Sequence, residues 1–128
     1  MTNQINYQWN CKTVDVYPQF EQLNDVVYNV HWRLTGTTEV EGKTYYAVSI
    51  GTQTLSVETI QPEGFIPFPE PSDAEACLAF ENQVIQWTTE EMGEQRVNEL
   101  MAGLEQQIEN QINPPSLTLT IGVDQPIV

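Results

Sequence analysis

The sequence predicts an α+β fold: an antiparallel meander of three strands packed against two helices, with a C-terminal segment as a candidate fourth, edge strand. Three observations carry this. Period-two alternation of apolar residues fills the N-terminal half, stripes at helical spacing fill the stretch from Ser72 to Ile112, and a breaker-rich block from Gln61 to Pro71 separates the two. The clearest strand is Val26–Leu34. Val26, Tyr28, Val30, Trp32 and Leu34 are apolar, while Asn29, His31 and Arg33 between them are polar. That is a strand with one buried and one wet face, rich in the β-branched and aromatic residues that suit a pleated surface. It is expected at the centre of the sheet.

The first strand runs from Ile5 to Tyr17. Ile5, Tyr7, Trp9 and Cys11 alternate on odd positions, then Val14 and Val16 on even ones. A one-residue slip would turn the apolar set to water, so a bulge is expected around Lys12-Thr13. Pro18 is expected to end the strand and to open a polar loop reaching Asp25. The central strand should end near Thr35-Gly36, with Thr37 to Gly42 as a hairpin loop longer than two residues. In the third strand, from about Lys43, Tyr46, Val48 and Ile50 share one face. The apolar set then moves to Leu55 and Val57, which predicts a second bulge at Gly51.

Five residues of the Gln61–Pro71 block are proline or glycine, so it should be extended. Phe65, Ile66 and Phe68 sit within it, either pinning it across the sheet edge or over the core, or exposed as an anchor for a partner. Ser72-Asp-Ala-Glu75 reads as a capping box opening the first helix, whose stripe is Cys77, Phe80, Val84 and Trp87, widened by Leu78 and Ile85. Thr88 with Glu91 repeats the signal, predicting a second helix from there to Ile112, roughly 35 Å long at ~1.5 Å per residue. Its stripe is Val97, Leu100, Met101, Leu104, Ile108 and Ile112, and Gly103 would let another element, of this chain or of a second copy, approach closely. Asn113-Pro114-Pro115 stops it. Leu117, Leu119 and Ile121 then alternate with Thr118 and Thr120, a short strand that either closes the sheet of its own chain or adds to a neighbour's. The whole of 1–128 reads as one domain, with 116–128 as a flexible or partner-bound tail.

Eighteen acidic residues face four basic ones, a net charge of −14. Nucleic acid and anionic membranes are therefore poor partners. No apolar run reaches the ~18–20 residues of a membrane helix, and the start lacks the pattern of a signal peptide. Cys11 and Cys77 are far apart and outside any Cys-x-x-Cys pair, so two buried, reduced thiols are expected, which favours synthesis in a reducing cytoplasm; a disulfide is the alternative. The sequence contains no phosphate-binding glycine loop, nucleophile elbow or zinc-ligand spacing, and His31 is its single histidine. No catalytic residue, cofactor or metal site is assigned, and the expectation is a protein that is not an enzyme. Trp9, Trp32 and Trp87 are read as core anchors.

Tyr7-x-Trp9, the run Asp25-Val-Val-Tyr-Asn-Val-His-Trp-Arg-Leu-Thr-Gly36, Phe65-Ile-Pro-Phe68 and the closing Gln107-Ile-Glu-Asn-Gln-Ile-Asn-Pro-Pro115 together resemble a family of small proteins encoded by tailed bacteriophages. The tail after Pro115 departs from the short ending of that family. The resemblance implies a virion structural protein, made in the host cytoplasm: a capsid cement or decoration subunit, or another small structural component. Its partners would be other phage structural proteins and copies of itself, with Phe65, Ile66, Phe68, Leu117, Leu119 and Ile121 as the candidate interface. The alternative is an acidic inhibitor that mimics DNA and blocks a host nuclease or DNA-binding protein.

Overall fold

The computed structural model describes residues 4–56 and 67–122. Strands β1 (Asn6–Phe20), β2 (Leu23–Val40) and β3 (Lys43–Thr54) form one antiparallel sheet in the order β1-β2-β3. Helices α1 (Ala74–Met92) and α2 (Glu94–Ile112) follow and lie against it. The α+β meander with two helices is therefore the fold, and β2 is its central strand.

Both hairpins are tighter than their sequences suggest. The expected loop from Pro18 to Asp25 is instead strand, and the connection is Glu21-Gln22. The ladder accommodates the proline by skipping it: Tyr17 pairs with Val26 and Gln19 with Asn24, leaving Pro18 opposite Asp25, whose φ is 52°. Since β1 is an edge strand, a residue without an N–H is tolerated there. At the other end β2 runs past Gly36 to Val40 and turns through Glu41-Gly42, with φ of 51° and 80°. Two consecutive positive φ values make a type I′ turn, whose twist matches that of the strands.

The bulge expected at Lys12-Thr13 is present: the register shifts between Asn10 and Thr13, with Cys11 and Lys12 opposite Trp32. A second shift lies between Asp15 and Val16, where Tyr28 is the extra residue on β2. It changes the phase of the central strand. Val30, Trp32 and Leu34 are buried as alternation requires, but Val26 and Val27 are both buried, while Tyr28 is half-buried and stacks on Tyr17 at 4.2 Å. No bulge occurs at Gly51. The β2–β3 register is continuous, and Gly51 sits directly opposite Trp32. A Cβ there would lie 2.6 Å from Trp32 Cζ2, so the glycine makes room for the indole.

The core is the layer between sheet and helices. Val30, Trp32, Leu34 and Ala47 from the sheet meet Phe80, Val84, Trp87, Leu104 and Ile108 from the helices. Trp9 is half-buried and packs edge-to-face on Trp32, with ring centroids 5.7 Å apart. Leu78, expected to widen the α1 stripe, is 59% exposed. Helix α1 starts one residue later than the capping box implies. Asp73 is its N-cap and accepts from the Ala76 N–H at 3.0 Å, so Ser72 does not cap. Nor does Thr88 start a helix. It lies buried inside α1, its hydroxyl donating to the Val84 carbonyl at 2.7 Å, and the break falls at Gly93 with φ 89°. Among the described residues outside its own helical turns nothing lies within 4 Å of a Cβ built on Gly103, so no described element of this chain makes the close approach expected there.

Candidate functional site

The side of the sheet away from the helices is the natural place to look for function, because the fold leaves it uncovered among the described residues. Alternation sends Asn29, His31, Arg33, Thr35 and Thr37 of β2 to this side. Directly opposite residues of an antiparallel pair share a face. Their β3 partners Thr54, Thr52, Ile50, Val48 and Tyr46 therefore line it too. Tyr46, Val48 and Ile50 do share one face, as expected, but that face is the open one: they are 62%, 40% and 74% exposed. The core-facing set of β3 is instead Tyr45, Ala47, Ser49 and Gly51, and the last three are small residues that let α2 lie close.

A second apolar surface is the C-terminal segment. After α2 ends at Ile112, residues 113–122 form no strand, and the expected alternation is present without a ladder. Leu117, Leu119 and Ile121 are 70%, 78% and 100% exposed. Helix α2 ends beside β3, where the Gln111 side-chain amide donates to the Tyr46 carbonyl at 2.7 Å. Of the remaining candidate interface residues, Phe68 is half-exposed with its ring 5.2 Å from Phe80, joined to the core rather than free of it. Phe65 and Ile66 lie outside the described residues.

Two polar clusters were not assembled by sequence reasoning. On the open face Asp15 accepts from Asn29 Nδ2 at 2.9 Å and contacts His31 Nε2 at 2.8 Å. The Asn29 and His31 hydrogen bonds hold the Asp15 carboxyl below its ordinary pKa. Across the sheet, Glu81 of α1 accepts the Cys11 N–H at 2.9 Å and the Lys12 ammonium at 2.6 Å. Burial opposes its ionisation, but these donors outweigh it and its pKa is lowered. Burial raises the Cys11 thiol to about 11, which makes it a poor nucleophile at neutral pH. Both cysteines are free; Cys11 is buried and Cys77 half-buried.

His31 meets a carboxylate and no cysteine, since Cys11 faces the helices. It contributes with Lys12, Arg33 and Ile50 to an open depression of about 640 Å³. A second cavity of about 600 Å³ lies between β1 and α1, lined by Cys11, Val14, Phe68, Cys77 and Leu78. Among the described residues no group of three or more His, Cys, Asp or Glu could hold a metal ion, and no helix is long and apolar enough to cross a membrane.

A family model described as a domain of unknown function, DUF7936, matches residues 4–121. The chain belongs to the DUF7936 family. The match takes in the whole sheet, both helices and the exposed Leu117–Ile121 segment, so that segment is part of the DUF7936 unit. No curated protein and no solved structure matches the chain.

Proposed function

We propose that this DUF7936 protein is a non-enzymatic structural subunit of a bacteriophage particle, a capsid-associated cement or decoration protein or another small structural component. One observation supports an assembly role above all. The protein carries two exposed apolar surfaces, the Tyr46–Val48–Ile50 stripe and the Leu117–Leu119–Ile121 segment, on a chain of net charge −14. Exposed apolar stripes of this kind mark surfaces that become covered in an assembly. The phage setting comes from the sequence resemblance. Its partners are then other particle proteins and copies of itself, and its place is the virion.

Quantitative mass spectrometry of purified particles of the source phage tests this. The expected result is recovery of the chain in numbers comparable to other structural proteins. Its absence from the particle, with a host nuclease or DNA-binding protein recovered on the tagged chain in a salt-sensitive complex, would instead establish the DNA-mimic reading. That second reading draws on the helix layer, where Glu94, Glu99, Glu105 and Glu109 are exposed along α2 with Arg96 as its single base.

A further inference from the structure

We infer that the Leu117–Ile121 segment of one copy pairs as a fourth strand along the outer edge of β3 in a second copy, and that reciprocal exchange closes a two-fold dimer. The inference rests on the assembly reading above and names its first partner.

Edge strands of soluble proteins are normally defended by charge, proline or bulges. The two edges of this sheet differ in that respect. β1 carries Lys12, Asp15, Pro18 and two register shifts. β3 carries no charged residue and no proline from Thr44 to Thr54, and its register is unbroken. Among the described residues no strand pairs with its outer side. The tail has the complementary character. From Asn113 to Gly122 it also lacks charge, it alternates Leu117, Leu119 and Ile121 with threonines, and it is exposed throughout.

Backbone geometry fixes which groups await a partner. In a strand, a residue's N–H and C=O point to the same edge, and successive residues alternate. The Tyr46 carbonyl is reached from outside by Gln111, so the outward-pointing groups are those of Tyr46, Val48, Ile50 and Thr52. The side chains of the first three form the exposed stripe. With the Tyr46 carbonyl taken by Gln111, a tail strand laid on this edge satisfies the groups of Val48, Ile50 and Thr52 and brings the Leu117, Leu119 and Ile121 side chains alongside the exposed stripe.

The second copy, rather than the parent chain, is the occupant for a reason visible at the end of α2. In its own chain the segment leaves α2 beside this edge, where Gln111 holds the Tyr46 carbonyl, yet residues 117–121 form no ladder with β3. Pro114-Pro115 then stiffens the departure, and Leu117 to Ile121 stay exposed. A short stiffened arm that leaves one edge without pairing to it is suited to reach the same edge of a two-fold mate. Uncharged contact segments also suit two copies that repel through fourteen negative charges each.

The test is the solution mass of the full chain by light scattering, with two exposed-site variants, Leu119→Asp in the tail and Ile50→Asp on β3. The wild type is expected at about twice the 14.6 kDa chain mass. Each variant alone should fall to the monomer mass with an unchanged circular dichroism spectrum. Mixed, they should recover a dimer, because one sound tail and one sound edge remain. Raising NaCl from 20 to 300 mM, conditions chosen to screen like charge, should tighten the wild-type dimer. A monomeric wild type overturns the inference, including one with slowed amide exchange over Leu117–Ile121, which would mean pairing within the parent chain. So does an oligomer that survives both substitutions. Either failure leaves the virion assignment standing if the chain is found in particles, whereas a tail-dependent dimer absent from particles refutes the assignment and keeps the dimer.

Discussion

At Gly51 the residue type is set by a neighbouring side chain rather than by a backbone angle. The Trp32 indole lies across it, and an added methyl would sit 2.6 Å from Cζ2 and 2.9 Å from Cε2. Trp32 is buried and hemmed in by Trp9, so it cannot swing aside freely. Gly51→Ala should therefore destabilise the fold by about 1–3 kcal/mol, the usual cost of overpacking, read as a lower urea midpoint. Gly103→Ala is the matched control. Among the described residues outside its own helical turns nothing lies within 4 Å of its Cβ, and it sits inside α2. There alanine should stabilise by about 1 kcal/mol through helix propensity. Sequence alone marks both glycines as departures from pattern, but it reads Gly51 as a bulge, which the register excludes, and Gly103 as a close approach, which no described element of this chain makes. The information that separates them is the cross-strand partner, which depends on register.

Glu81 makes a second prediction at this scale. Its carboxylate accepts a backbone N–H and a lysine ammonium, and its pKa is lowered in the folded state. The stabilisation is thus present above the ordinary glutamate pKa and is lost as pH falls through the lowered folded value. Glu81→Gln should cost about 1.5–3 kcal/mol at pH 7, the range for hydrogen bonds to a charged group. The gap between wild type and variant should close as the pH drops below the ordinary glutamate range. Urea titrations of both proteins from pH 7 to pH 3 would show it, and a gap that stays constant across that range would contradict the lowered pKa.

At the level of elements, the alternation and helical stripes were readable because they record which face is buried, whereas the ends of elements depend on single residues. Leu104 and Ile108 are buried as their spacing implies, and the Lys12 bulge follows from the slip between Cys11 and Val14. The limits were harder. Pro18 looks like a terminator but is carried on an edge strand opposite Asp25. Thr88 and Glu91 look like a cap, yet the threonine bonds backwards to Val84 and Gly93 makes the break. The Tyr46, Val48 and Ile50 alternation was legible as a shared face but not as an open one, because both faces of β3 alternate and the small residues face α2. The cap offers a direct test. Asp73→Ala should destabilise by about 1 kcal/mol by removing the acceptor of the Ala76 N–H, while Ser72→Ala should leave the thermal midpoint nearly unchanged.

Charge is unevenly distributed over the whole molecule. The helix layer holds Glu75, Glu90, Glu94, Glu99, Glu105 and Glu109 at exposed positions, opposed by Arg96. The open sheet face holds His31 and Arg33 beside Asp15 and Glu39, close to balance. Like charges crowded on one layer repel in the compact state and relax when the chain expands, so self-repulsion lowers the stability of the monomer. Added salt screens that repulsion more than it weakens favourable pairs, because the ion pairs among the described residues are few and the Lys12–Glu81 pair is largely shielded on its glutamate side. A non-assembling variant such as Leu119→Asp isolates this from dimer formation. Its urea midpoint should rise steadily as KCl goes from 10 to 500 mM, a span chosen to take the Debye length from about 30 Å toward a few Å. Replacing Glu105 and Glu109 by glutamine should flatten that dependence, since both are exposed on α2 away from its Arg96–Glu99 pair. A midpoint that falls with salt would mean that attractive pairs dominate the electrostatics, and the uneven charge would then have to be balanced within the fold itself.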